Sequence, residues 1–345
     1  MPLHGVRIVE FESIGPGPLA GYMLSGMGAD VTLIARPNAS PVTKRFSSGE
    51  SSELERGKRR MVLDLKSDAD RAQAMDLVAG ANALIEGMRP GVMERFGLGP
   101  ADCAKRNPAL VYGRISGWGQ SGPLAHAAGH DLNYVALTGL LSLSGRRGQR
   151  PIVPPTVVGD AAGALGLAFG MACALFEARA TGRGRVVDAA IVDIAAMLGT
   201  IAHWVRASGH LDGSEPSPFH DSPFYDVFEC SDGGFITVAA LEPRFYALLL
   251  EKLGLGDVDP CAQYDTAQWP ALKERIRGLF AQRRRDEWRT LLEGTDVCFA
   301  PVLTVAEAAR HPHNVARGNF VERAGALYGA VAPRFQPLDD SGDDP

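Results

Sequence analysis

Two short segments of this chain carry residue types suited to moving protons at a carbon centre. Gly129-His130-Asp131-Leu132-Asn133-Tyr134 places an imidazole in a Gly-flanked polar break between apolar runs. Roughly thirty residues later, Val158-Gly159-Asp160 does the same for a carboxylate. A reaction that removes a proton from one face of a carbon and returns one to the other face needs two such groups, one protonated while the other is a base. Free His and Asp titrate near about 6.5 and 3.9, so burial and neighbouring charge would have to adjust them.

The elements around these segments alternate. Val6 to Phe11 reads as a strand, Leu19 to Met27 as a helix and Val31 to Ala35 as the next strand, a β-α-β unit. Met61–Leu65, Ala83–Ile85, Leu110–Ile115 and Val186–Asp188 are further strands, with helices expected over about 68–78, 161–178 and 191–208. Short apolar runs alternating with helices predict an α/β fold with a parallel sheet covered on both faces. Composition shifts over 209–223, a polar Pro/Gly/Ser-rich stretch that reads as a linker. Beyond it, Phe224–Cys230 and Phe235–Ala239 flank Ser231-Asp232-Gly233-Gly234 as a hairpin, followed by helices. The domain reading is a large domain over 1–208, a linker over 209–223, a smaller α+β domain over 224–325, and a C-terminal segment over 326–345 returning toward the large domain. The acidic tail from Asp339 reads as disordered.

A chain of 345 residues with 46% hydrophobic content is ample for a sizeable core. Its net charge of −5 argues against nucleic acid or an anionic membrane as partner. The five cysteines are odd in number and widely spaced, with no metal-ligand pattern, so reduced thiols, a cytoplasmic setting and no metal site are expected. Gly and Asp interrupt the longest apolar helix candidates, so no bilayer span is expected.

Gly15-x-Gly17 follows the first strand and opens a helix, but the third glycine, Gly21, is one residue late for a dinucleotide fingerprint and two prolines intervene. The second strand ends in Ala35-Arg36-Pro37 rather than in an acid for ribose hydroxyls. The turn therefore reads as a tight strand-to-helix connection rather than a nicotinamide site. Arg36, Arg56, Lys58, Arg59, Arg60, Arg89 and Arg95 recur near strand ends. That placement is consistent with a polyphosphate lying over the sheet edge, although a solvated face explains any single one of these charges equally well.

Over nearly its whole length the chain resembles the α-methylacyl-CoA racemases of the class III (CaiB/BaiF-type) CoA-transferase superfamily. The ordered motifs are Gly15-Pro16-Gly17-Pro18, Gly57-Lys58-Arg59-Arg60, Asp64-Leu65-Lys66, Glu86-Gly87-Met88-Arg89-Pro90-Gly91-Val92 and Gly97-Leu98-Gly99. They continue with Gly117-Trp118-Gly119-Gln120-Ser121-Gly122-Pro123, Gly129 to Tyr134, Thr181-Gly182-Arg183-Gly184, Leu241-Glu242-Pro243-Arg244-Phe245-Tyr246 and Thr295 to Val302.

The resemblance implies a Rossmann-like large domain with a smaller α+β domain, two copies interlocked as a homodimer, and an acyl-CoA substrate in which the CoA thioester is the carrier and no separate cofactor is used. Carried over motif by motif, His130 and Asp160 are the catalytic pair and Glu242 is a partner of His130. Arg36, Leu63, Asp64, Leu65, Lys66, Gly87, Met88, Arg89, Arg95, Gly129, Asp131, Leu132, Asn133 and Tyr134 fall where the family holds CoA. The implied reaction is epimerisation of 2-methylacyl-CoA thioesters by proton transfer at the α-carbon. The transferase branch would instead use Asp160 as a nucleophile, and its members typically carry Tyr where this chain has His130. A non-catalytic acyl-CoA-binding protein is the third reading. The chain departs from the racemase pattern at Thr156, at Ala161-Ala162-Gly163-Ala164 and at Pro218-Phe219-His220-Asp221-Ser222-Pro223, where two glycines are lost. An altered acyl preference is the expected consequence.

Overall fold

The computed structural model describes residues 1–38, 52–146, 148–155, 158–211, 215–336 and 338; Thr156, part of the expected linker and the acidic tail lie outside them. The chain divides into two compact units. The first comprises 1–145, 149–200 and the chain from Val331 onward, and the second comprises 146–148 and 201–330.

The first unit is an α/β layer structure. Its strands are β1 (Arg7–Phe11), β2 (Asp30–Ala35), β3 (Lys58–Val62), β4 (Ala83–Glu86), β5 (Val111–Ser116) and β6 (Val186–Ala190). All pair in parallel, in the order β3-β2-β1-β4-β5-β6. That order reverses between β1 and β4, and such a reversal opens a crevice at the C-terminal edge of a parallel sheet. Successive strand residues serve opposite faces. Ile8, Val31, Ala83, Ile85, Val111 and Ile115 enter one core with helix α1 (Pro16–Gly26). Val9, Phe11, Ile34, Leu84 and Tyr112 enter the other with α2 (Asp68–Ala79) and α4 (Pro100–Arg106), α3 (Val92–Arg95) lying between these two helices in the chain. This is the period-2 pattern of a sheet buried on both sides.

The first core is completed by α6 (Asp160–Thr181), which follows the short α5 (Asp131–Leu137). By length and composition α6 could cross a membrane, and its glycines do not interrupt it as the sequence reading expected. Gly163, Gly166 and Gly170 are notches against which Ile191, Ile194 and Val187 pack, while Leu167, Met171, Ala174 and Ala178 are buried in the core. The helix expected over 191–208 is two helices, α7 (Ile191–Leu198) and α8 (Thr200–Ala207), parted at Gly199, against which Leu140 packs.

The basic run Lys58-Arg59-Arg60 lies inside β3 rather than ahead of a strand. Edge position accounts for the polar content, since Arg59 reaches out to Asp30 at 2.9 Å. Lys58 turns the other way. Its fully buried ammonium donates to both carboxylate oxygens of Glu10 (2.8 and 2.6 Å) and to the Pro18 carbonyl (2.9 Å). The pair ties β1, β3 and the first turn of α1 together.

The second unit holds an antiparallel sheet of β7 (Tyr225–Glu229), β8 (Phe235–Ala239) and β9 (Phe299–Val302). Helices α9 (Pro243–Lys252), α10 (Trp269–Phe280) and α11 (Arg285–Leu292) pack their apolar sides into its core around Phe224, Tyr246, Ile276 and Trp288. Helices α12 (Val305–Arg310) and α13 (Pro312–Ala316) lead to a hairpin of β10 (Phe320–Arg323) and β11 (Ala326–Gly329).

Burial pushes the Glu10 carboxyl up to about 7, with Lys58 drawing it back down. Lys58→Met removes that opposing charge, so the folded-state value rises further above the unfolded one. Stability tied to the neutral carboxyl is then present at low pH and lost as pH rises. The variant is expected to lose about 3–5 kcal/mol at neutral pH, with a smaller loss at pH 5 than at pH 8. Urea denaturation at both pH values checks this; an equal loss at both would contradict it.

Candidate active site

His130 stands at the N-cap of α5. Its N–H donates to Asn133 Oδ1 (3.0 Å), and its carbonyl accepts the N–H groups of Asn133 (2.8 Å) and Tyr134 (3.3 Å). The turn that carries the imidazole is thus fixed through its backbone, and the residue as a whole is exposed.

Asp131, the next residue, is 5% exposed. Its Oδ1 accepts the N–H of Gly159 (2.9 Å) and the N–H of Asp160 (2.6 Å). These are the N-cap and first amides of α6, which have no partner inside their own helix. A Cβ at Gly159 would stand 2.5 Å from the same oxygen, so the approach requires glycine there. The Asp160 side chain reaches toward the turn after β1: a Cβ at Gly15 would lie 3.0 Å from Asp160 Oδ2, and Gly15 has φ +74°. The Gly-Pro-Gly-Pro turn therefore leaves room for a carboxyl group of the protein itself. Burial and then the Asp131 charge hold the Asp160 carboxyl above the usual carboxylate range, and His130 opposes them.

Tyr134 completes the cluster. Its hydroxyl donates to the Gly129 carbonyl, and its ring meets Trp118 edge-on at 4.7 Å between centroids. Burial, followed by the Asp160 charge, raises its pKa, and Arg89 lowers it. His130, Asp131, Tyr134, Asp160 and Arg89 therefore share one neighbourhood at the C-terminal edge of the sheet.

Beside this neighbourhood a cavity of about 390 Å³ follows the same edge. Arg36, Leu63, Asp64, Leu65, Lys66 and Met88 all line it. The backbone N–H of Arg36 donates to Glu12 Oε2 (2.7 Å), and its guanidinium donates to the Glu12 carbonyl (3.3 Å). The Gly87–Arg89 loop is held from below: Glu86 accepts the Met88 N–H (2.7 Å) and Arg114 Nε (2.6 Å), and Arg114 also grips Glu94 (2.7 Å). Arg95 closes α3 and is exposed, and neither it nor Gly87 or Arg89 lines the cavity. Leu132 and Asn133 are exposed on α5. Asp131, expected among the CoA contacts, has one carboxylate oxygen on two backbone amides and does not line the cavity. Glu242 belongs to the second unit, where it is exposed at the N-cap of α9.

Sequence reasoning missed Glu12, and it missed the use to which Gly15 and Gly159 are put. The signal available for the glycines was their position one residue before a helix, which does not reveal the carboxylate that needs the space.

The family model of CoA-transferase family III matches residues 3–337. The chain is 39% identical to the α-methylacyl-CoA racemase of Mus musculus and 38% identical to that of Homo sapiens, in each case over 98% of this chain and 86% of the relative. Among solved structures, a CAIB/BAIF family protein from Brucella suis superposes with a TM-score of 0.82 at 27% identity, covering 98% of this chain and 93% of its own.

A Cβ at Gly117 would overlap the Tyr134 ring. Gly117→Ala is expected to cost about 1–3 kcal/mol by overpacking and to disturb the Trp118–Tyr134 pair. Chemical denaturation with near-UV circular dichroism measures both, and an unchanged spectrum at unchanged stability would contradict the packing described.

Proposed function

The chain belongs to CoA-transferase family III, and from that premise we propose that it epimerises 2-methylacyl-CoA thioesters, with His130 and Asp160 as the acid–base pair. In this reading CoA lies along the cavity at the sheet edge, with Arg36 and Lys66 toward its phosphates and Leu63, Leu65 and Met88 against its apolar parts. The thioester α-carbon then comes to the His130–Asp160 neighbourhood. His130 takes the α-proton as the C–H bond breaks, and the electron pair moves into an enolate. Asp160 in its neutral form returns a proton to the other face, and the reverse direction exchanges the two roles. The first turn of α6 supplies partial positive charge for the enolate oxygen. The Asp160 amide itself is committed to Asp131, so this help would come from the amides that follow it. No cofactor beyond the CoA thioester is called upon.

The observation that carries this reading is the setting of Asp160, held above the usual carboxylate range within the field of His130. A carboxyl whose proton is favoured by burial and by the Asp131 charge suits proton return. A nucleophile of the transferase type needs only the ionised form. Glu242 keeps its expected supporting part in the acid–base chemistry.

We assign a homodimer on the exposed apolar row of α6. Leu165, Phe169 and Phe176, spaced four and seven residues apart, lie on one side of a 22-residue helix and are 50%, 68% and 80% exposed. The cytoplasmic setting is kept in the proposal on the five free thiols.

The test is NMR of one pure 2-methylacyl-CoA epimer in deuterated buffer with a free carboxylic acid added. Deuterium at the α-carbon together with the other epimer supports the proposal, whereas CoA on the added acid without α-exchange would move Asp160 to the nucleophile's role. His130→Ala is expected to lower exchange by about 10²–10⁴-fold with CoA affinity kept. Arg36→Ala is expected to weaken CoA binding about tenfold, the scale of one charge-assisted hydrogen bond. Calorimetry with free CoA separates the two effects.

A further inference from the structure

We infer that Asp131 is the positioning residue of this site: its carboxylate locks the backbone of Asp160 to the turn that carries His130, so that one side chain sets the spacing of the pair. As a statement about catalysis this rests on the acid–base reading above, while the lock itself rests on geometry alone.

The geometry is specific. α6 has no capping side chain of its own, because its N-cap is Gly159. The cap comes from a different helix, through a single oxygen of Asp131 that takes the amides of Gly159 and Asp160 together, at 2.9 and 2.6 Å. A carboxylate that is 5% exposed and accepts two main-chain donors makes charge-assisted bonds, which are strong and narrow in geometry. On the other side of the lock, Asp131 is one peptide unit from His130, whose own backbone is held by Asn133. The path between the two reactive residues is thus a peptide bond and a hydrogen bond. Gly159 belongs to the same device, since any side chain there would push Asp131 away.

The lock has an electrostatic consequence. Among the described residues, the charged and titratable groups around the Asp160 carboxyl are His130 at the N-cap of α5 and Asp131 and Tyr134 within it, with Arg89 from the loop after β4 acting on Tyr134; the α1 side offers Gly15. Of these, Asp131 is the charge that disfavours ionisation of Asp160, after burial. The same side chain therefore positions the acid and helps to keep its proton.

Two substitutions separate the parts. Asp131→Asn keeps an oxygen able to accept both amides and removes the charge. Asp131→Ala removes the acceptor. Amide hydrogen exchange, followed by NMR in the full-length protein, reads the lock without reference to activity. Protection of the Gly159 and Asp160 amides is expected to be kept in Asp131→Asn and lost in Asp131→Ala. Protection kept in Asp131→Ala would overturn the inference whatever the protein catalyses. If the wild-type protein shows no α-proton exchange, the parent reading fails while this readout still decides the lock. If it does show exchange, Asp131→Ala is expected to lower kcat about 100-fold, the scale of a misplacement near 1 Å, at unchanged KM. Asp131→Asn is expected to move the acid limb of kcat to lower pH for the epimer whose proton Asp160 removes. An unmoved kcat in Asp131→Ala, or an unmoved acid limb in Asp131→Asn, would overturn the catalytic part.

Discussion

The first amides of a helix have no carbonyl one turn back, and something outside the helix must accept them when it begins in the interior. In this protein that requirement falls at the start of α6, and Asp131 meets it from another helix. Several features that look separate in the sequence follow from this one bond. Gly159 must lack a side chain so that Asp131 can approach. Asp160 is delivered with its backbone fixed and its carboxyl directed toward the turn after β1. Gly15 must lack a side chain so that this carboxyl has room. The long apolar body of α6, notched to fit β6 and α7, then anchors the arrangement to the core of the sheet.

The sheet supplies the other half of the positioning. Reversal of strand order between β1 and β4 sends the two following loops apart, and each loop is steadied by a buried ion pair. Lys58 links Glu10 to the Pro18 carbonyl in the first turn of α1. Arg114 joins Glu86 to Glu94, while the free oxygen of Glu86 holds the Met88 amide. Buried ion pairs return little net stability because desolvation offsets their attraction. What they fix here is geometry, since each has a polar backbone partner that apolar replacements would leave unsatisfied.

Much of this was legible in the sequence because local pattern and tertiary role agree. Apolar residues alternating between two faces marked the strands, and the Gly-flanked polar breaks marked the turns that carry His130 and Asp160. What escaped depends on partners distant in the chain. Lys58, Arg59 and Arg60 look like a solvated basic run until Glu10, 48 residues away, is found to take one of them into the core. Asp131 sits within a motif whose other members suggested ligand contact. The partners of its Oδ1 are 28 and 29 residues further along and are backbone amides, which carry no side-chain signature. The single helix expected over 191–208 failed at Gly199, where apolar periodicity continues on both sides and only the packing of Leu140 shows the break.

The setting of Asp160 also bears on why one fold can host both proton transfer and group transfer. A carboxyl used as a nucleophile benefits from whatever favours its charge: solvent, hydrogen-bond donors, a nearby cation. Burial and the adjacent Asp131 charge work against that in this chain, and His130 opposes them. A group that must give its proton in one direction and take it in the other is served by such opposed influences, since one set favours the proton and the other its release. In the proposed reaction the histidine would then do more than act as the second base. By opposing the effects of burial and of Asp131, it would keep Asp160 able to act both ways.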